Sequence, residues 1–173
     1  MAFLRVKRIK GREYCYLVEN RWSRRKGARQ RVKAYLGPVV RFPSAEIDFW
    51  EFHHAQPERF LRGKDSTAIV RDVIRGELER AGFVQDRTVC RKAAGNDTLL
   101  FNLQTHKALR NGQEIVLALN DGYLCRFTVR RILAFDASGD AAADSMPFAR
   151  LLVDAGLSPP PAIAAALYQR LGK

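Results

Sequence analysis

Apolar and polar residues alternate with a period of two near the start of the chain. Between residues 29 and 36 the apolar residues take every second position, at Val32, Ala34 and Leu36. The positions between them carry Arg29, Arg31, Lys33 and Tyr35. Because successive side chains of a strand point to opposite faces, the pattern predicts a strand with one packed face and one cationic face.

Two more strands are predicted upstream. Residues 13–20 alternate less regularly, which is typical of a central strand covered in part on both faces, and residues 4–10 supply a third strand. Turns are expected at Gly11 and across residues 21–28, where Gly27 gives conformational freedom. We expect a three-stranded antiparallel basic sheet over residues 1–41, followed by a link bracketed by Pro38 and Pro43.

Residues 42–173 are expected to form an α+β core. After a helix that begins at Ser44, the clearest helical pattern runs from Ser66 to Ala81, with a glycine just beyond its end. Strand patterns then recur over residues 88–127 and predict a second antiparallel sheet closed by an Asn-Asp-Gly hairpin turn. Residues 128–135 favour a helix and residues 136–144 an exposed loop. Residues 146–155 and 162–171 predict a C-terminal helical hairpin. The fold class is α+β.

Charge is concentrated in the first of these two units. The net charge of the chain is +12, and residues 1–41 hold 13 Lys and Arg against 2 acidic residues, whereas the remainder holds 17 against 16. Such asymmetry is typical of a segment that binds a polyanion, and nucleic acid is the polyanion that best fits basic strands interleaved with aromatics. The three cysteines are widely spaced, which argues against a disulfide framework and a structural zinc site. We expect a cytoplasmic protein with no membrane span and no cofactor.

The first strands also resemble a known family. The pattern REYCYLVEN, a basic loop containing glycine, and then RQRVKAYLG is similar to the N-terminal segment of insertion-sequence DDE transposases and to the start of many small prokaryotic proteins. The similarity covers Leu4 to Gly37 and is carried by Tyr14, Tyr16, Leu17, Val18, Glu19, Gln30, Arg31, Val32, Tyr35, Leu36 and Gly37. In those transposases a large domain with three catalytic acidic residues follows, and no such triad is evident here. The resemblance therefore implies nucleic-acid attachment, and a relation to mobile elements, without transposition.

The predicted interface consists of the cations and two aromatics of this segment. They are Arg5, Lys7, Arg8, Lys10, Arg12, Arg21, Trp22, Arg24, Arg25, Lys26, Arg29, Arg31, Lys33 and Tyr35. A two-stranded ribbon can enter a duplex major groove, while cations on a turn grip phosphates. Trp22 and Tyr35 would stack on bases if the target is single-stranded. DNA is favoured, but the sequence leaves the polymer and its strandedness open.

Two alternative functions remain. A small metal-dependent nuclease would use Glu51 and His54, which are three residues apart on a predicted helix beside Asp48 and His53, with Asp97 or His106 as further ligands. Such residues more commonly form an ordinary helix surface, and we assign no catalytic or metal-binding residue. An adaptor would instead recruit a protein partner, or a second copy of the chain, through the C-terminal helices. Those helices lack the polar outer face of a DNA-recognition helix.

Overall fold

The computed structural model describes residues 2–24, 27–43, 49 and 56–171. Nine strands lie in this part of the chain: β1 (Ala2–Ile9), β2 (Arg12–Ser23), β3 (Gly27–Arg41), β4 (Val84–Asp86), β5 (Val89–Ala94), β6 (Asp97–Asn102), β7 (Lys107–Arg110), β8 (Gln113–Leu119) and β9 (Gly122–Leu124). The described helices are α1 (Pro57–Leu61), α2 (Ser66–Arg80), α3 (Arg126–Leu133), α4 (Ala141–Asp154) and α5 (Pro161–Leu171). The α+β class is confirmed. The helix expected from Ser44 lies, apart from Phe49, outside the described residues.

The strands form one mixed sheet, so the prediction of two separate sheets was wrong. Their order is β1-β2-β3-β8-β7-β6-β5-β4, and β9 also pairs with β8. The reason is the length of β3. It pairs with β2 as far as Pro38, and from Val39 onward it pairs in parallel with β8. Pro38 stands at the last pair with β2, so its missing N–H falls where the strand changes partner.

Gly37 permits this change of partner. Its φ of +121° is a conformation that side chains rarely adopt, and a Cβ atom added there would lie 2.3 Å from the carbonyl oxygen of Glu114. The backbones of β3 and β8 therefore approach more closely here than any other residue would allow. The division of the chain after Arg41 stays a prediction, but in the folded protein β3 links the basic strands directly to β8.

Two hydrophobic clusters cover the central strand β8. Its residues Ile115, Leu117 and Leu119 point into the main core, which also holds the apolar stripe of α2. Val116, on the opposite side, joins a smaller cluster with Cys15 and Cys125. Because alternate residues of β8 enter different clusters, the strand is buried on both sides. The small cluster fixes the base of β1–β3 against α3.

The helical predictions are largely confirmed. Helix α2 begins after Asp65, whose carboxylate accepts a hydrogen bond from Ala68 N at 2.7 Å. The helix expected over residues 128–135 is α3, which begins two residues earlier and ends at Leu133. The exposed loop predicted over residues 136–144 was partly wrong, because α4 already begins at Ala141 with Asp140 as its N-cap. Asp144 is buried and accepts hydrogen bonds from Ser138 and Tyr168.

The C-terminal helices meet through Tyr168 of α5. Its ring lies 5.9 Å from that of Phe148 in α4, and its hydroxyl donates to Asp144 at 2.9 Å. Cys15, Cys90 and Cys125 are free and buried. Among the described helices, none is long and apolar enough to cross a bilayer.

Candidate nucleic-acid interface

Strands β1, β2 and β3 form an antiparallel unit with two different faces, which we call the basic ribbon. In β2 the even-numbered residues from Tyr14 to Trp22 lie on one face and the odd-numbered residues from Cys15 to Arg21 on the other. We name the first the tyrosine face. The second begins at the small cluster around Cys15 and continues outward as the cationic face.

The faces of β3 differ from the alternation in its sequence. Two register shifts interrupt its pairing with β2: Val18 pairs with Val32 but Leu17 with Ala34, and Tyr16 pairs with Tyr35 but Cys15 with Gly37. Each shift leaves one extra residue on β3, as a β-bulge does, and reverses the alternation beyond it. Val32 and Tyr35 therefore share the tyrosine face.

The prediction that Val32 packs inside and that Tyr35 lies beside the arginines was therefore wrong. The side chain of Val32 is 49% exposed and that of Tyr35 is 55% exposed. Leu36, which the alternation placed with Val32, instead packs against the small cluster on the opposite side. Arg29 and Arg31 do share a face, as predicted, and it is the cationic face.

The cationic face gathers four positive side chains around one carboxylate. The cations are Arg21, Arg29, Arg31 and Lys33. Glu19 forms ion pairs with Lys33 at 2.9 Å and Arg21 at 3.4 Å, and it stands opposite Arg31 across the strand pair. Arg29 stands directly opposite Arg21. Like charges in such a pair are destabilising unless an anion lies between them.

The protonation of Glu19 reflects this surrounding charge. The hydrogen bond from Lys33, together with the charges of Lys33, Arg21 and Arg31, lowers the pKa of the Glu19 carboxyl, against a smaller opposing effect of burial. Glu19 is therefore ionised at neutral pH. It neutralises one of the four cations and leaves this face with a net positive charge.

The tyrosine face carries three clustered phenol rings. The ring of Tyr35 lies 5.3 Å from that of Tyr16 and 6.4 Å from that of Tyr14, with tilted rather than parallel planes. Lys7 Nζ lies 5.3 Å from the centre of the Tyr16 ring, and Arg5 donates a hydrogen bond to the side chain of Gln30. This face thus combines exposed ring surface with cations, as surfaces that stack on bases do.

Two concave regions adjoin at the tyrosines. A shallow depression of about 250 Å³ is lined by Ile9, Tyr14, Tyr16 and Tyr35. A larger groove of about 900 Å³ shares Tyr14 and Tyr35 with it, and opens where β3 leaves β2 for β8. Four arginines line the groove: Arg8, Arg12, Arg41 and Arg110.

The remaining predicted interface residues lie around these features. Lys10 occupies the β1–β2 turn, and Trp22, which is 73% exposed, lies toward the outer end of the tyrosine face. Arg24 is exposed just beyond β2. Arg25 and Lys26 lie outside the described residues. The predicted set is thus divided between two faces and their ends and does not form one continuous surface.

Sequence reasoning missed several residues of the site. The alternation in β2 predicts that Tyr14 and Tyr16 share one face, but the predicted interface did not include them. No comparable sequence pattern indicates that Arg41 and Arg110 belong to the site. Arg41 enters the groove because β3 extends past Pro38, and Arg110 because the β7–β8 hairpin lies beside β3, so both depend on pairings distant in sequence.

The residues considered for a metal-dependent nuclease are not assembled in the described part of the chain. Glu51 and His54, with Asp48 and His53, lie outside the described residues. Asp97 forms an ion pair with Arg110, whereas His106 lies at the other end of the β6–β7 hairpin. Burial, with the nearby charges of Arg130 and Arg126, lowers the pKa of His106. No group of three His, Cys, Asp or Glu side chains able to hold a metal occurs among the described residues.

Comparisons of the chain with protein-family models, with curated proteins and with solved structures found no match.

Proposed function

We propose that this protein is a non-catalytic nucleic-acid-binding protein whose contact surface is the basic ribbon, with DNA the favoured polymer. The observation that carries the proposal is the cationic face, where Arg21 and Arg29 are held opposite each other and Glu19 supplies the single carboxylate among the described residues of that face. A row of phosphates offers the negative charge that this arrangement lacks. The favouring of DNA over RNA comes from the resemblance of residues 4–37 to transposase N-terminal segments.

Cations that form no ion pair lie along the whole ribbon and support the same function. Within the described residues of the ribbon, Arg21, Lys33 and Arg41 form ion pairs with carboxylates. The other described cations of the ribbon form none within 4 Å: Arg5, Lys7, Arg8, Lys10, Arg12, Arg24, Arg29 and Arg31. Because few of these charges are matched within the protein, they are available to phosphates.

The dimensions of the ribbon suit a nucleic-acid backbone. Strand β2 has 12 residues, and at roughly 3.3 Å per residue it extends over roughly 40 Å. One turn of duplex DNA rises about 34 Å along its axis, so the outer half of the ribbon spans roughly half a turn. The cationic residues lie in the outer half of the ribbon, away from the small cluster that fixes its base.

The proposal is tested by removing two cations from this face. Arg29→Gln and Arg31→Gln are combined, and the control combines Arg71→Gln and Arg150→Gln, two exposed arginines on helices α2 and α4. Both variants lower the net charge equally. Affinity for labelled duplex DNA, single-stranded DNA and RNA is measured by fluorescence anisotropy over a range of salt concentrations.

Two lost phosphate contacts should reduce the log–log salt slope on duplex DNA by about 1.8, since each contact contributes about 0.9. The control should leave the slope within error of the parent protein. Equal effects of the two variants would show that net charge, and not this face, governs binding. Failure of the parent protein to bind any of the three polymers would overturn the proposal.

A further inference from the structure

We propose that the tyrosine depression and the adjoining arginine groove together hold a nucleotide of an unpaired strand, with its base against Tyr35 and its phosphate in the groove. This inference rests on the proposed function, because it names the form of nucleic acid that the tyrosine face takes. It assigns that face a role distinct from that of the cationic face, which lies on the other side of the ribbon.

The depression has the chemistry and the size of a base-stacking site. Its lining is three phenol rings and the aliphatic side chain of Ile9, which is exposed, and its volume of about 250 Å³ is below that of pockets for drug-sized ligands. A single planar ring system fits such a shallow surface. Tyr16 and Tyr14 lie against Tyr35 at 5.3 Å and 6.4 Å, so the most exposed ring of the three is supported from below.

The groove supplies positive charge next to that surface. Arg41 is held by Glu13 at 2.9 Å, and Arg110 is held by Asp97, so these two guanidinium groups are already matched by carboxylates. Arg12, which pairs with Ile9 and so lies on the tyrosine face, forms no ion pair among the described residues. It is the side chain left to neutralise a phosphate whose base lies on the neighbouring tyrosines.

An unpaired strand fits this arrangement better than a duplex. In a duplex each base is stacked between its neighbours and exposes only its edges in the grooves, whereas a single strand can present the whole face of a base. The tyrosine face offers ring surface to stack on. The hydroxyl of Tyr35 is neutral at pH 7, since the ordinary pKa of a phenol is about 10, and partial desolvation followed by the nearby phenols of Tyr16 and Tyr14 raises this pKa further.

The test compares Tyr35→Leu with Tyr35→Phe in the full-length protein. Labelled oligodeoxyuridylate and oligouridylate serve as single-stranded probes, and a DNA hairpin serves as the duplex probe. Tyr35→Leu should weaken binding to a single-stranded probe by about 5- to 150-fold, the range for loss of one base–aromatic stack. Tyr35→Phe should retain most of the affinity, and duplex binding should change by less than about twofold for either variant.

Photo-cross-linking with an oligonucleotide containing 5-iodouracil provides a second measurement that needs no variant. A cross-link to Tyr35, Tyr16 or Tyr14 is expected. Cross-links confined to residues outside the tyrosine face would overturn the inference. So would a Tyr35→Leu protein that melts like its parent and binds single strands and duplex with unchanged affinity.

The outcome separates this inference from the proposed function. If the combined Arg29→Gln and Arg31→Gln variant shows the reduced salt slope while Tyr35→Leu has no effect, the ribbon binds nucleic acid without a base-stacking site. If neither change has an effect, nucleic-acid binding by the ribbon is itself refuted. Comparison of oligodeoxyuridylate with oligouridylate, which differ only in the 2′-hydroxyl, shows which polymer the site prefers.

Discussion

Replacing Glu19 with glutamine should strengthen polyanion binding. In the free protein the Glu19 carboxylate holds Lys33 at 2.9 Å and Arg21 at 3.4 Å. Glutamine has nearly the same shape but no charge, so the substitution makes the cationic face more positive by one unit and releases two cations. A phosphate approaching this face would no longer compete with the carboxylate for them.

The magnitude follows from counterion release. If both released cations reach a phosphate, the log–log salt slope on duplex DNA should steepen by up to about 1.8, and by up to about 1.4 on a single strand. Each added contact on duplex DNA should make the fall in affinity between 50 and 200 mM salt about 3.5-fold larger. The gain should therefore be largest at low salt and should shrink as salt is added.

Asp72→Asn provides the matched control. Asp72, on helix α2, forms ion pairs with Lys64 at 2.7 Å and with Arg75 at 3.6 Å, so its substitution also removes one negative charge and releases two cations. Fluorescence anisotropy across a salt series, with thermal melts to check folding, compares the two variants. An unchanged or weaker affinity for Glu19→Gln in a folded protein would refute the reasoning, because it would mean that Glu19 positions the cations for binding rather than competing for them.

Further predictions concern the stability of the fold and the pH dependence of binding. Gly37→Ala should lower the free energy of unfolding by at least about 2 kcal/mol, because it adds backbone strain and a close contact with Glu114. Gly95→Ala, where the added Cβ meets open space, should lower it by only about 1 to 2 kcal/mol. Thermal melts compare the two variants. Asp65→Ala should cost about 1 kcal/mol by removing the N-cap hydrogen bond of α2, which denaturant unfolding measures. Binding should raise the lowered pKa of Glu19 by withdrawing Lys33 from it, so affinity should increase as the pH falls toward the ordinary carboxyl value of 4.5. When affinity is measured by fluorescence anisotropy across pH, the Glu19→Gln variant should not show this increase at low pH.

The local elements could be predicted from the sequence because each has a signal within a few residues. The apolar stripe of α2 and the glycine beyond its end predicted that helix almost to the residue, and the Asn-Asp-Gly turn predicted the β8–β9 hairpin. The antiparallel order of β1, β2 and β3 followed from short turns. These features depend on propensity and on contacts near in sequence.

The faces of the ribbon could not be predicted in the same way. Two bulges in β3 reverse its alternation, and nothing in the run from Gln30 to Leu36 marks where they fall. Because the side-chain period of a strand is two, one extra residue moves everything beyond it to the other face. The parallel pairing of β3 with β8 depends on contacts more than 70 residues apart in the chain, as between Val39 and Val116. The groove exists only because of that pairing.

The most direct test of the account maps where nucleic acid contacts the intact chain. At 19.6 kDa, the protein is suited to backbone-amide NMR with isotope labelling. Titration with a single-stranded and with a duplex oligonucleotide should shift amide signals chiefly within residues 2–41. The single strand should perturb the residues around Tyr35, and the duplex those around Arg29 and Arg31. Shifts centred on helices α2, α4 or α5, with the signals of the ribbon unchanged, would contradict the assignment of the basic ribbon as the interface.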